Sequence, residues 1–307
     1  MSLLQLALSR PQAGPLAVPA WTLGCFRRRC ITFASGLEDT TTRVIWIQSH
    51  GLTADLRLPL IRPDVRAAGS LEHCTDEQRA EIARGEGFIA RTSWDGALMR
   101  WDAFAAFHPY DKWPEPGRLE RVGNCLIEWA PSGVYMEDWR FQPGASGLLV
   151  GLELLSETGP DGRSAQRSGG LVISGDHALL VLGRRQSLPE GRAHELLSSD
   201  PGLWRTAFDC QVAYARRDDS GWPVSLAVDP FMEGCALFHD SAFRPGPSAD
   251  LLIQANPSRE GDWTERLWRI DTLLPGYPGP LSTEATPAGL DWLSRESDAL
   301  GLSGRSP

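Results

Sequence analysis

Several familiar catalytic patterns are missing from this chain of 307 residues. Its six histidines form no HExxH or HxH pair, its six cysteines form no CxxC pair, and no Walker loop or GxSxG elbow occurs. Zinc-protease, P-loop and serine-hydrolase chemistry therefore have no anchor. The cysteines, at 25, 30, 74, 125, 210 and 235, are too scattered for a disulfide framework or a zinc site. Such spacing fits reduced thiols in a cytoplasmic protein, and no metal or cofactor is expected. Basic charge is scarce as well. With 30 Lys and Arg against 39 Asp and Glu, the net charge is -9 and the pI near 5.2, which argues against nucleic acid as a partner. The one tight basic run, Arg27-Arg28-Arg29, reads as solvated surface. Long apolar runs are absent too. Met1 to Ala20 has no basic lead and is broken by Pro11, Pro15 and Pro19, so neither a signal peptide nor a membrane span is expected there.

What the chain does have is strand signal. Arg43 to Gln48 (RVIWIQ) and Ala54 to Leu58 (ADLRL), divided by Gly51, read as a hairpin. Strands are expected again at Gly87–Trp94, Ala97–Phe104, Arg118–Trp129 and Val134–Phe141. Beyond Gln142 they are expected at Leu148–Leu155, Leu171–Ser174, His177–Gly183, Phe208–Ala215, Trp222–Val228, Leu251–Gln254 and Glu265–Ile270. Short helices fit Leu71–Arg84 and Leu188–Ser198. Many short strands at regular spacing predict an all-β protein of barrels or sandwiches. The expected division is a first barrel over 1–147, a second over 148–274, and a Pro, Gly and Ser rich tail from 275 to 307. Neither that tail nor the polar loop Gly159–Gly170 is expected to carry chemistry. Gly85-Glu86-Gly87-Phe88-Ile89-Ala90 has the letters of a dinucleotide fingerprint, but it leaves a helix and enters a strand, the reverse of the context that mechanism needs.

The most informative segment is Val134-Tyr135-Met136-Glu137-Asp138-Trp139-Arg140. Strand residues alternate sides, so Tyr135, Glu137 and Trp139 share one face. Facing inward, they give a small barrel a hydroxyl, a carboxylate and a ring. The same parity pairs Asp55 with Arg57 and Trp46 with Gln48 on the hairpin. Trp46, Trp94, Trp101 and Trp139 are the expected stacking groups, drawn from 12 tryptophans against only 4 tyrosines. If the protein is an enzyme, Glu137 is the general acid or base, with Tyr135 or His108 as complementary donor. The bland alternative is an Arg57–Glu137 ion pair inside a packed barrel, with His108 an exposed loop residue.

Val44-Ile45-Trp46-Ile47-Gln48, Ala54-Asp55-Leu56-Arg57-Leu58-Pro59 with Arg62-Pro63, and Tyr135-Met136-Glu137-Asp138-Trp139, together with Leu179 to Arg184 and Phe208-Asp209-Cys210, resemble a bacterial family similar to the yeast Hri protein. The matching stretches span roughly residues 40 to 235. The resemblance implies two consecutive lipocalin-like β-barrels with short helices and brings no established activity. This chain departs from the family pattern in carrying Ala103, Ala106 and His108 where Arg, Asp and Gln fall, which implies a larger, more apolar cavity. Two functions fit. One is a cofactor-independent isomerase, cyclase, hydratase or lyase acting on an apolar or aromatic metabolite through a barrel carboxylate. The other is a non-catalytic binding or scaffold protein. Oligomeric state is not legible.

Overall fold

Period-two alternation carries most of the chain into antiparallel strands joined by short turns. A computed structural model describes residues 1–109, 115–257, 263–279 and 285–301. The first eight strands are β1 (Gly24–Phe33), β2 (Thr42–Gln48), β3 (Leu52–Pro59), β4 (Glu86–Trp94), β5 (Leu98–Ala106), β6 (Gly117–Val122), β7 (Cys125–Trp129) and β8 (Tyr135–Phe141). Each pairs with its successor, and β8 returns to β1, from Tyr135 opposite Phe33 to Phe141 opposite Phe26. The sheet therefore closes into a barrel, which removes its edges. Among the described residues, β5 meets β6 only at Leu98–Arg118 and Met99–Gly117. That is the weakest seam in the wall.

The second half adds β9 (Gly147–Thr158), β10 (Gly169–Ser174), β11 (His177–Leu182), β12 (Gln211–Arg216), β13 (Val224–Ala227), β14 (Phe243–Pro245), β15 (Leu251–Pro257) and β16 (Trp263–Tyr277). Their order across the sheet is β13-β12-β11-β10-β9-β16-β15-β14. The two ends of this sheet share one core. Phe238 bridges Trp222, just before β13, at 5.2 Å and Phe243 of β14 at 5.6 Å. The second layer is thus joined by rings where the first is joined by a ladder.

Among the described residues the strands are accompanied by five short α-helices, α1 (Leu3–Ser9), α2 (Asp76–Ile82), α3 (Ala193–Ser199), α4 (Trp204–Asp209) and α5 (Pro287–Glu296). α2 starts at Thr75, whose hydroxyl accepts from the backbone of Gln78 while the Gln78 side chain accepts from the backbone of Thr75. No helix among the described residues is long and apolar enough to cross a membrane. Some boundaries differ from the sequence reading. α4 occupies Phe208 and Asp209, expected to begin a strand. The tail holds the end of β16 and α5. Leu3, Leu6 and Ala7 pack into the second core, and Gln12 and Ala13 pair with β16, so the N-terminus crosses to the half that follows it.

The halves meet through the outer faces of their sheets. Ile45, Ile47, Ala54, Leu56 and Ile89 belong to one apolar cluster with Val172, Leu179, Val181, Val212 and Tyr214. Gly87 sits at this contact, where a Cβ would lie 2.4 Å from Val212 Cγ1 and 2.7 Å from the Asp55 carbonyl oxygen. The glycine that mimics a nucleotide fingerprint is a close-approach residue between sheets.

The polar loop before β10 supplies a structural charge. Arg167 is buried and donates to Glu157 at 2.9 Å and to the carbonyls of Gly183 (2.8 Å) and Asp209 (2.6 Å). Arg266 reaches the other Glu157 oxygen at 2.8 Å, and Arg185 also bonds Glu157. Burial alone pushes the Glu157 carboxyl up, but Arg266 and Arg167 outweigh it and hold it down at about 2. This contribution is present above the ordinary value of 4.5 and is lost as pH falls towards 2. Glu157→Gln should cost about 3–5 kcal/mol of stability at neutral pH, measured by denaturant unfolding, because it leaves buried arginines uncompensated. A loss within about 0.5 kcal/mol, the scale of an ordinary surface change, would show the cluster to be dispensable.

Candidate ligand cavity

Since the outer faces of β2 and β3 are committed to the second sheet, their polar residues turn into the barrel. Trp46 and Gln48 of β2 face Thr53, Asp55 and Arg57 of β3, as parity requires. One end of the interior is solid: Val18, Leu23, Phe26, Met99, Leu119 and Leu126 fill it, with Trp21 and Trp94 against them. Above this floor, Gln48 donates to Thr92 at 2.9 Å and accepts from Trp46 Nε1 at 3.3 Å. The other end is a cavity of about 1320 Å³.

Three of the four tryptophans expected to stack a ligand lie at the cavity. Trp46, Trp101 and Trp139 line the cavity, with Trp46 roughly perpendicular to Trp101 at 6.3 Å and to Trp139 at 5.4 Å. Trp94 does not. It packs edge-on to Trp21 at 6.0 Å in the closed end, because it lies at the far terminus of β4. Trp101 lies over Gly117, where a Cβ would come within 2.6 Å of the ring.

The charged residues partner differently from the Arg57–Glu137 pair of the alternative reading. Arg57 Nε donates to Asp55 at 2.8 Å, two residues back on the same strand face. Glu137 is held instead by Arg28, whose Nη1 is 2.5 Å from Oε1 and whose Nη2 donates to Asp39 at 3.0 Å. Arg28 is the middle residue of the basic run read as surface, and it is only 6 % exposed. A bulge causes this: Asp138 pairs with Cys30 and Trp139 with Arg28, so Arg29 is skipped and both Arg28 and Ile31 face the cavity.

Glu128 went unremarked in the sequence, yet it sits directly opposite Glu137 in the β7–β8 ladder. Alternation along β7 gave no signal for it, because Cys125, Ile127 and Trp129 form the wholly apolar set while the fold buries Leu126 and Glu128. Tyr135 donates to Glu128 Oε1 at 3.0 Å and Trp139 Nε1 donates to Oε2 at 3.2 Å. Burial first and the Glu137 charge second push the Glu128 carboxyl up to about 8, against the pull of the Tyr135 hydrogen bond and Arg57. Burial and the two carboxylates also raise the Tyr135 phenol, which keeps it a donor. The carboxyl poised to take and give a proton near neutrality is thus Glu128, with Glu137 bound in an ion pair.

His108 lies on the rim and is buried, not exposed. Its Nδ1 accepts the backbone N–H of Ala193 at 3.0 Å, at the start of α3. The second half builds this rim too, through Ser168, Arg184, Leu188 and Arg192. Arg184 Nη1 donates to the carbonyl of Ala106 at 2.9 Å, and Nη2 bonds that of Phe107. Among the described residues, no group of three or more His, Cys, Asp or Glu is placed to hold a metal ion. No family model, curated protein or solved structure matches the chain.

Glu128 has a pH signature. Below about 4.5 its carboxyl is protonated in folded and unfolded chain alike. Between 4.5 and about 8 only the unfolded chain releases the proton, so stability should fall as pH rises through this window and level off above it. Glu128→Gln should flatten that decline when unfolding midpoints are measured from pH 4 to 9; an unchanged slope would show that Glu128 ionises freely.

Proposed function

We propose that the first barrel binds a small molecule with an apolar or aromatic body and transfers a proton on it without a cofactor, as an isomerase, cyclase, hydratase or lyase does. One observation carries this reading: a carboxyl raised to about 8, flanked by a phenol and an indole donor, on the wall of a cavity with room for a metabolite. A general acid or base works best with its pKa near the working pH. Two carboxylates with separated roles are a recurring solution. Here Glu128 exchanges the proton, while Glu137 and Arg28 fix the local charge. Tyr135 orients Glu128 and can pass its hydrogen bond to a substrate oxygen. Trp101, half-exposed in the cavity, supplies the stacking face, whereas Trp46 and Trp139 are each only 2 % exposed and act mostly as its backing. His108, fixed by α3, would orient the substrate at the rim.

The resemblance to the family similar to the yeast Hri protein adds the expectation of paired barrels and no chemistry, so the reading rests on the cavity. The second reading, a binder without turnover, is favoured by the burial of Glu128 and Glu137 at 6 % and 3 % exposure, which limits their contact with a ligand. Anilinonaphthalenesulfonate, an aromatic dye, should bind the cavity, and apolar or aromatic metabolites that displace it should be assayed for product. Gly117→Ala should weaken dye binding about tenfold, or ~1.4 kcal/mol, by forcing Trp101 into the cavity. For a metabolite that is turned over, Glu128→Gln should retain binding and lose about 10² in rate. Displacement without product from any metabolite would favour the binder, and an undiminished rate would remove Glu128 from the chemistry.

A further inference from the structure

The basic run that opens β1 splits across the barrel wall. Arg28 goes inside, and Arg27 and Arg29 stay outside, where Arg43 of β2 and Arg140 of β8 join them around a groove of about 350 Å³. Arg27 stands directly opposite Arg140 in the β1–β8 ladder. Like charges so placed destabilise a sheet. Arg140 is bonded to Asp138 at 2.9 Å, and its buried Nε has no partner. The guanidinium groups of Arg27, Arg29 and Arg43 have no hydrogen bond or ion pair among the described residues. Carboxylates are not in short supply, because the chain has nine more acidic than basic residues. Many arginines elsewhere on the surface find them, as in Arg62–Glu233 at 2.5 Å, Arg205–Glu72 at 2.7 Å and Arg244–Glu265 at 2.7 Å. Of the five arginines lining the groove, Arg28 and Arg140 are paired with carboxylates, and Arg27, Arg29 and Arg43 are left without a carboxylate partner among the described residues.

We propose that this groove binds the phosphoryl group of a small anionic molecule, with Arg27, Arg29 and Arg43 as its principal ligands. Guanidinium forks match tetrahedral oxyanions in geometry and charge, and the Thr40 side chain at the groove adds a hydroxyl donor. Its size admits one compact anion. A nucleic-acid backbone would need a basic stripe, which this acidic chain lacks. Arg28 and Thr42 line both this groove and the barrel cavity, on opposite sides of one wall. The site is otherwise separate, and it stands whether or not the barrel is catalytic.

The test is isothermal titration of the full chain with inorganic pyrophosphate at constant ionic strength. One saturable site is expected. Arg27→Gln and Arg43→Gln should each weaken it by about tenfold or more, while Arg163→Gln, in an exposed loop, should bind as the unaltered chain does. In the ligand-free state, Arg27→Gln should melt at the same temperature or higher, because it relieves the repulsion with Arg140. Absence of saturable binding, equal binding by the groove variants, or a lowered melting temperature of ligand-free Arg27→Gln would each overturn the proposal; the last would mark Arg27 as structural.

Discussion

The apolar contact between Ile45, Ile47, Ala54 and Leu56 on one sheet and Val172, Leu179, Val181 and Val212 on the other governs the rest of the molecule. A strand has two faces, and this contact commits the outer faces of β2 and β3 to a hydrophobic core. Their polar residues are left with the inside of the barrel. Thr53, Asp55 and Arg57 therefore point where a free-standing barrel would place core filler. The cavity exists because the second half supplies an outer core for the first.

A barrel with a polar interior must compensate its charges, since an isolated buried ion is far too costly to keep. Arg28 meets that demand for Glu137 and Asp39, and Arg57 meets it for Asp55. Burial first and the Glu137 charge second raise the Glu128 carboxyl, which has hydrogen-bond donors but no cation within ion-pair distance among the described residues. The arginines nearby are paired with its neighbours, and the charge of Arg57 offsets the shift only in part. The second half solves the same problem in the opposite sense at Glu157, where an excess of arginine holds one carboxylate ionised. The two halves thus carry one buried acid poised near neutrality and one locked in its charged form.

Local pattern explains what was legible from the residues. Alternation set the all-β class, the hairpin at β2–β3 and the shared inner face of Tyr135, Glu137 and Trp139, because side-chain direction in a strand follows from the backbone alone. The helices near Asp76 and Ala193 were legible for a similar reason, since they depend on neighbours three or four residues away. The Asp55–Arg57 pair followed from parity on one strand. Partner choice across the barrel was not legible: Arg28 taking Glu137 depends on closure of β8 onto β1 and on a one-residue bulge at Arg29 that resets parity. Glu128 was hidden because its importance lies in what it lacks, and the absence of a cation is a property of three-dimensional neighbours.

By itself the sequence determined which residues share a strand face, because that is fixed by covalent geometry two residues at a time. Only the tertiary structure decided which face is the interior, which acid is left without an arginine, and that the rim of the first barrel is built partly by Arg184 and Arg192 of the second half. Those outcomes turn on contacts between residues far apart in the chain, and no local periodicity encodes them.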